Sequence, residues 1–298
     1  MARILRSLSG ISMSAFGSSA ALTAELTAAD NVLRMPLPLS RRFSFVSLRG
    51  GSGTSSSSSY VASLLATRRA GMILAVNASA GDGNLIWHAG LSSLAAQHPS
   101  ERRLRARNAS DARDGLPRTH SGLYTLDLRG PTSAEVAAST QHWFDELTPI
   151  TRFFDVVATD WGFRSWRVDL GQVASASHVV CLVARADRYA AEEAASLVPA
   201  LLAQEDRPRV ALALVDVGGT ASRSIETLRD SLGIPVVGIP YDASRGSMTP
   251  VGSATLSART RIAYTRLATA LMTESQVSVD RRGPREPGIE SRIEAAAQ

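Results

Sequence analysis

The stretch Arg49-Gly50-Gly51-Ser52-Gly53-Thr54-Ser55-Ser56 is built from residue types that bind anions. Its glycines let the backbone curl so that successive N–H groups converge, and a hydroxyl run leads into the apolar helical pattern Val61 to Ala66. Converging N–H groups and the positive end of a helix dipole together favour a phosphate. Phe43 to Leu48 upstream reads as a short apolar strand, so the order is strand, glycine loop, helix. A loop that moves phosphoryl groups, of the form G-x-x-x-x-G-K-[ST], also sets a lysine on the β/γ-phosphates. That position is Thr54, and no lysine from elsewhere replaces it: all 32 basic residues of the chain are arginine.

The elements that must position this loop follow from the apolar pattern. With 298 residues, 44% hydrophobic and 20% charged, the chain has the size and composition of one large domain with a sizeable core. Strand patterns at Phe43–Leu48, Met72–Val76, Gly122–Leu128, Phe153–Thr159, His178–Ala184, Arg209–Val215 and Pro235–Ile239 are short, continuous apolar runs. Helical patterns fall between them at Asn84–Gln97, Thr132–Leu147, Tyr189–Gln204 and Ala221–Leu232, and a last one at Leu256–Met272. Apolar strands alternating with helices predict an α/β fold, a mostly parallel twisted sheet with helices on both faces. The expected organisation is a flexible arm over 1–40, one domain over 41–272 and a disordered polar tail over 273–298.

Several function classes lose support at this stage. The single cysteine, Cys181, lies in an apolar run and gives neither a disulfide framework nor zinc spacing. The five histidines show no ligand spacing and read as structural. No apolar run approaches the roughly 18 residues of a membrane span. The N-terminus has early arginines and small residues, as a signal peptide does, but Ser and Gly interrupt its middle, which points to a cytoplasmic protein.

The motifs in order resemble those of the MinD/ParA family of deviant P-loop ATPases, most of all the actinobacterial members encoded with type VII secretion systems. The family loop K-G-G-x-G-K-T-[TS] corresponds to Arg49 through Ser56; V-D-x-[DN]-P after the second strand to Val76-Asn77-Ala78-Ser79-Ala80; the later D-x-G to Asp160-Trp161-Gly162; and L-P-V-x-x-x-I-P-Y-D to Ile234–Asp242. The resemblance implies a P-loop NTPase fold, ATP and Mg²⁺ as ligands, and a nucleotide-sandwich homodimer. It places Arg49, Gly50, Gly51, Gly53, Thr54, Ser55 and Ser56 around the phosphates, Asp216 near the base, and Ser55 with Asp160 on the metal. Arg49 stands where a family lysine reaches the partner's phosphates. Thr54 and Asn77 stand where the family has a lysine and an aspartate. Each loses a charge at a step where the protein contributes mainly electrostatics.

Three readings follow. The first is a degenerate, hydrolysis-deficient protein that scaffolds or regulates secretion or intracellular positioning through secretion-system or partition partners. The second is a working ATPase dimer in which Arg49 supplies charge to its partner. The third is a nucleotide-free adaptor that binds DNA non-specifically, or an acidic membrane, through the arginine-rich stretch Arg102–Arg118. That stretch lacks interleaved aromatics, which argues against stacking on single strands. Such a protein works in the cytoplasm, peripheral to membrane or nucleoid. Asp216 has a second role open to it, capping the next turn.

Overall fold

The computed structural model describes residues 19–91, 100–129, 135–165, 168–219, 228, 231–246 and 255–280. Seven strands form one sheet, and every pairing is parallel. They are β1 (Arg41–Ser47), β2 (Ile73–Asn77), β3 (Tyr124–Asp127), β4 (Val156–Phe163), β5 (Val179–Arg185), β6 (Arg209–Val215) and β7 (Val236–Ile239). Their spatial order is β3-β2-β4-β1-β5-β6-β7.

The two-residue period of a strand divides the core into two layers. Along β6, Val210, Leu212 and Leu214 enter one apolar cluster, while Ala211, Ala213 and Val215 enter the other. The first layer carries Trp143 and Leu147 of the helix Thr140–Leu147, Val173 of Leu170–Ser175, and the alanines of Arg188–Ser196. The second carries Leu33 of the helix Ser19–Arg34, Tyr60, Val61 and Leu65 of Thr54–Arg68, and Leu267 and Leu271 of Ala258–Asp280. The expected α/β architecture, with a parallel sheet covered on both faces, is the observed one.

The N-terminal segment departs from the flexible arm expected through residue 40. Ser19–Arg34 is a 16-residue helix, with Leu33 only 1% exposed. Glu25 accepts two hydrogen bonds from Arg266 of the last helix, at 2.6 and 2.9 Å. Arg69, its side chain 3% exposed, donates to the carbonyls of Leu33 (2.6 Å) and Met35 (2.9 Å) and to Asp155 Oδ2 (3.0 Å). One guanidinium thus joins the arm, the end of the loop helix and the entry to β4. Asp155, the residue before β4, is its carboxylate partner.

Helix bounds also differ from the sequence expectation, for local reasons. The last helix runs on through Asp280, because Ser275 is still fully buried against the sheet, so the expected tail is helical over 273–280. The expected helix over 84–97 stops at His88, before Gly90 at φ +83°. Residues 92–99 lie outside the described residues, as does most of the helix expected over 221–232. The helix expected over 189–204 is two, Arg188–Ser196 and Val198–Leu202, because Pro199 has no N–H to continue the ladder. The helix expected from Thr132 begins at Thr140, where Ser139 caps it by accepting from His142 N–H.

Arg69→Met removes three hydrogen bonds and leaves two carbonyls and a carboxylate without their partner. It is expected to lower unfolding stability by about 2–4 kcal/mol in chemical denaturation. A loss below about 0.5 kcal/mol would show that the N-terminal helix is not held this way.

Candidate anion loop and its polar row

The glycine loop joins β1 to the helix Thr54–Arg68 at the carboxyl edge of the sheet. Gly51 (φ +70°) and Gly53 (φ +81°) take the left-handed backbone that L residues avoid. A Cβ on Gly53 would meet Val215 Cγ1 at 3.0 Å, so the loop lies against the end of β6. A Cβ on Gly50 or Gly51 would meet nothing within 4 Å, which leaves that backbone open to an anion. Thr54 opens the helix and is 6% exposed. Ser56 turns inward, its hydroxyl donating to the Gly53 carbonyl at 3.0 Å. Ser57, Ser58 and Ser59 are fully buried along the same helix.

Arg49 does not curl over its own loop. Its Nε donates to Glu193 Oε2 at 2.8 Å, and its guanidinium lies 4.7 Å from the centre of the Tyr189 ring. Leu48, Arg49, Gly50, Phe163, Arg185, Asp187, Tyr189 and Ala190 line an open groove of about 450 Å³ beside the loop.

Sheet register explains the second substitution. Asn77 ends β2 and pairs with Asp127 on one side and with Asp160 on the other. Residues in register on adjacent parallel strands project to the same face, about 4.8 Å apart. An amide therefore sits between two carboxylates. Asn77 Nδ2 donates to Asp127 Oδ1 at 2.9 Å, and its Oδ1 accepts from Ser79 N–H at 3.3 Å. The amide's orientation is fixed, since Asp127 only accepts and a backbone N–H only donates. The Ser79 hydroxyl lies 2.7 Å from Asn77 Oδ1 and 3.2 Å from Asp160 Oδ2, sharing one proton between two acceptors. Arg129 completes the outer end, donating to Asp127 through Nη2 at 2.8 Å and to the Gly81 carbonyl through Nη1 at 2.6 Å.

Asp160 is fully buried. Burial pushes its carboxyl pKa up, against hydrogen bonds from Ser55, from Gly162 N–H and from Ser79, and against the nearby Arg164 charge. A β-bulge aims it: β4 slips between Phe45 and Val46 of β1, Trp161 fills the extra place, and the Trp161 indole donates to Ser44 Oγ at 2.9 Å. Gly162 (φ +64°) follows, and a Cβ there would meet Ser79 Cβ at 2.6 Å. Arg164, 8% exposed, donates to the carbonyls of Trp161 (3.1 Å), Ala78 (2.9 Å) and Ala138 (2.7 Å).

The structure thus brings Ser55, Asn77 and Asp160 together and sets Arg49 apart on the helix Arg188–Ser196. Asp216 takes the capping role: its Oδ1 accepts from the N–H of Gly218 (3.2 Å) and Gly219 (2.6 Å). Sequence reading missed Ser79, Asp127, Arg129 and Arg164. The one available signal was Asp127 at the carboxyl end of a predicted strand, where parallel sheets carry their sites. The arginine-rich stretch is largely exposed, as expected, with Arg102, Arg105, Arg107, Arg113 and Arg118 at the surface and Arg103 the exception. Arg103 is 3% exposed and reaches Glu146 at 3.4 Å, and Arg102 pairs with Asp111 at 3.0 Å.

The backbone cradle fits a phosphate, and Ser55 with Asp160 offers the oxygen donors that a hard cation takes. The side chains around them carry no cation toward a phosphate. Thr54 brings no charge to the phosphates, and Asn77 has its amide and its carbonyl oxygen already bonded within the chain. Among the described residues, no group of three His, Cys, Asp or Glu side chains could hold a metal ion by itself.

No family model matches the chain, and no curated protein matches it by sequence. Solved structures match its fold. A ParA family ATPase from Chlorobium tepidum is 20% identical with a TM-score of 0.59, over 76% of this chain and 98% of that one. The cell division ATPase MinD of Pyrococcus furiosus is 16% identical with a TM-score of 0.54, over 80% and 99%. Cobyrinic acid a,c-diamide synthase from Mycobacterium smegmatis, with bound ADP and magnesium, is 16% identical with a TM-score of 0.52, over 84% and 100%. The chain therefore has the MinD/ParA-type P-loop fold. That fold also carries a synthase, so it does not by itself fix an activity.

Asn77→Asp would set a third carboxylate in the row. It is expected to cost about 2–3 kcal/mol of unfolding stability at pH 7.5. Burial and two like-charged neighbours raise the new carboxyl's folded pKa above its unfolded value, so the cost holds above that folded pKa and shrinks as pH falls toward 5. Asn77→Asp with Asp127→Asn returns the row to two carboxylates and gives the new one an amide donor beside it, and is expected to recover part of the loss. Equal losses in the single and double variants would refute the row.

Proposed function

We propose that this chain is a hydrolysis-deficient P-loop protein that acts as a scaffold or regulator, in intracellular positioning or in type VII secretion. The carrying observation is the row Asp127–Asn77–Asp160, in which the residue at the water-positioning place is an amide bonded on both sides. Thr54 at the lysine position supports the same reading. ATP binding survives weakly through the loop backbone, and Asp160, already accepting from the Ser79 hydroxyl and Gly162 N–H, takes no part in holding Mg²⁺. A structure of MinD from Aquifex aeolicus in complex with MinC shares the fold, at 14% identity and a TM-score of 0.52, and supports the idea that such a domain works by presenting a surface to a protein partner. The secretion setting rests on the sequence motifs alone.

The working-ATPase reading has one observation in its favour. The Arg49 side chain is 49% exposed, so leaving Glu193 for a partner's phosphate breaks a solvent-screened surface pair and a contact with the Tyr189 ring. No helix among the described residues is long and apolar enough to cross a membrane.

Steady-state ATP turnover by the full chain with Mg²⁺ separates the two. The expected rate is indistinguishable from that of the Asp160→Ala variant and of buffer. Turnover that Asp160→Ala abolishes would overturn the proposal.

A further inference from the structure

The carboxyl ends of β6 and β7 carry a polar arrangement that the phosphate loop does not use. Gly53 abuts Val215, the last residue of β6, so a ligand with a phosphate in the loop extends from there over the ends of these strands. The ladder closes where Asp216 N–H donates to the Ile239 carbonyl at 2.9 Å. The next two carbonyls, those of Asp216 and Pro240, converge. Both accept from Arg245 Nη2, at 2.9 and 2.7 Å, and Arg245 Nη1 lies 3.5 Å from the Tyr264 hydroxyl. Beside them Tyr241, 51% exposed, lies against Gly219, and Val217 is 36% exposed.

Converging carbonyls next to exposed aromatic and apolar surface suit a flat heteroaromatic ring with an exocyclic amine: the amine donates to the carbonyls and the ring lies on the apolar surface. A guanidinium is also planar and presents N–H donors. It satisfies the same two carbonyls that such an amine would need. The Asp216 carboxylate is turned to its own loop, where Oδ1 accepts from Gly218 and Gly219 N–H.

We propose that Arg245 occupies the base half of the site, so that the loop receives a polyphosphate anion and gains little from an attached nucleoside. This rests on the anion-loop reading and names its ligand class, a polyphosphate taken with little regard to the base. It also makes Arg245 the residue that sets base selectivity.

The test is calorimetric titration of the full chain with ATP and, separately, with inorganic tripolyphosphate. The unmodified protein is expected to bind the two within about threefold of each other. Arg245→Ala frees two carbonyls and is expected to raise the preference for ATP over tripolyphosphate about tenfold, the value of one or two hydrogen bonds. Arg245→Gln, with a shorter side chain and a single amide, is expected to do the same and serves if the alanine variant fails to fold. A preference of tenfold or more for ATP in the unmodified protein overturns the inference. So does a ratio that neither variant changes, as it would be if Arg245 only ties the strand ends together, with the thermal midpoint falling and selectivity staying put. If no protein binds either probe, the anion loop itself is refuted and the role of Arg245 falls with it. Tripolyphosphate binding without the change in ratio refutes Arg245 alone.

Discussion

An amide set between two carboxylates on three adjacent strands of a parallel sheet, bonded to one directly and to the other through the Ser79 hydroxyl, is the interaction on which the site depends. Asp127, Asn77 and Asp160 end up side by side because β3, β2 and β4 are neighbours in register. The middle residue faces a carboxylate on one side and the Ser79 donors on the other, so it must donate in one direction and accept in the other. Asn77 does both, to Asp127 and from Ser79. An aspartate there would need a nearby cation or a shared proton, because buried like charges cannot all stay ionised. The loss of charge at Asn77 and the presence of Asp127 are one structural fact seen from two strands.

The surrounding loops follow from that row. Ser79 links the loop after β2 to Asp160, Gly162 admits Ser79 at a distance no side chain tolerates, and Arg164 bonds the carbonyls of both connections. Arg129 holds the far side through Asp127 and Gly81. The bulge at Trp161 makes this geometry possible by letting β4 continue to Phe163 while Asp160 turns into the row. Each polar group here is matched within the chain, and a network matched in this way favours one arrangement.

The fold was legible in sequence because buried parallel strands must be apolar runs, as Arg209–Val215 is along its whole length. The glycine loop was legible because positive-φ backbone at Gly51 and Gly53 calls for glycine. The row was not legible. Asn77 and Asp127 lie 50 positions apart in sequence, and only the order of strands puts them together. Arg164 and Arg245 stayed hidden for a related reason: their partners are backbone carbonyls, which leave no trace in residue type. The N-terminal helix was read as an arm although Leu22, Leu26, Ala29 and Leu33 recur at helical spacing. The contacts that hold it, to Arg69 and Arg266, come from distant parts of the chain.

The fold is shared with ATPases and with a synthase, so function must be argued from the site. Asp160 accepts from Ser79 and Gly162 within the chain, and the central proposal is that it does not serve as a metal ligand. Its most direct test is the affinity of the full chain for ATP, measured with Mg²⁺ and again with EDTA. The account expects the same dissociation constant under both conditions, and the same in an Asp160→Asn variant. A rise in affinity of about tenfold or more with Mg²⁺, lost on Asp160→Asn, would contradict it.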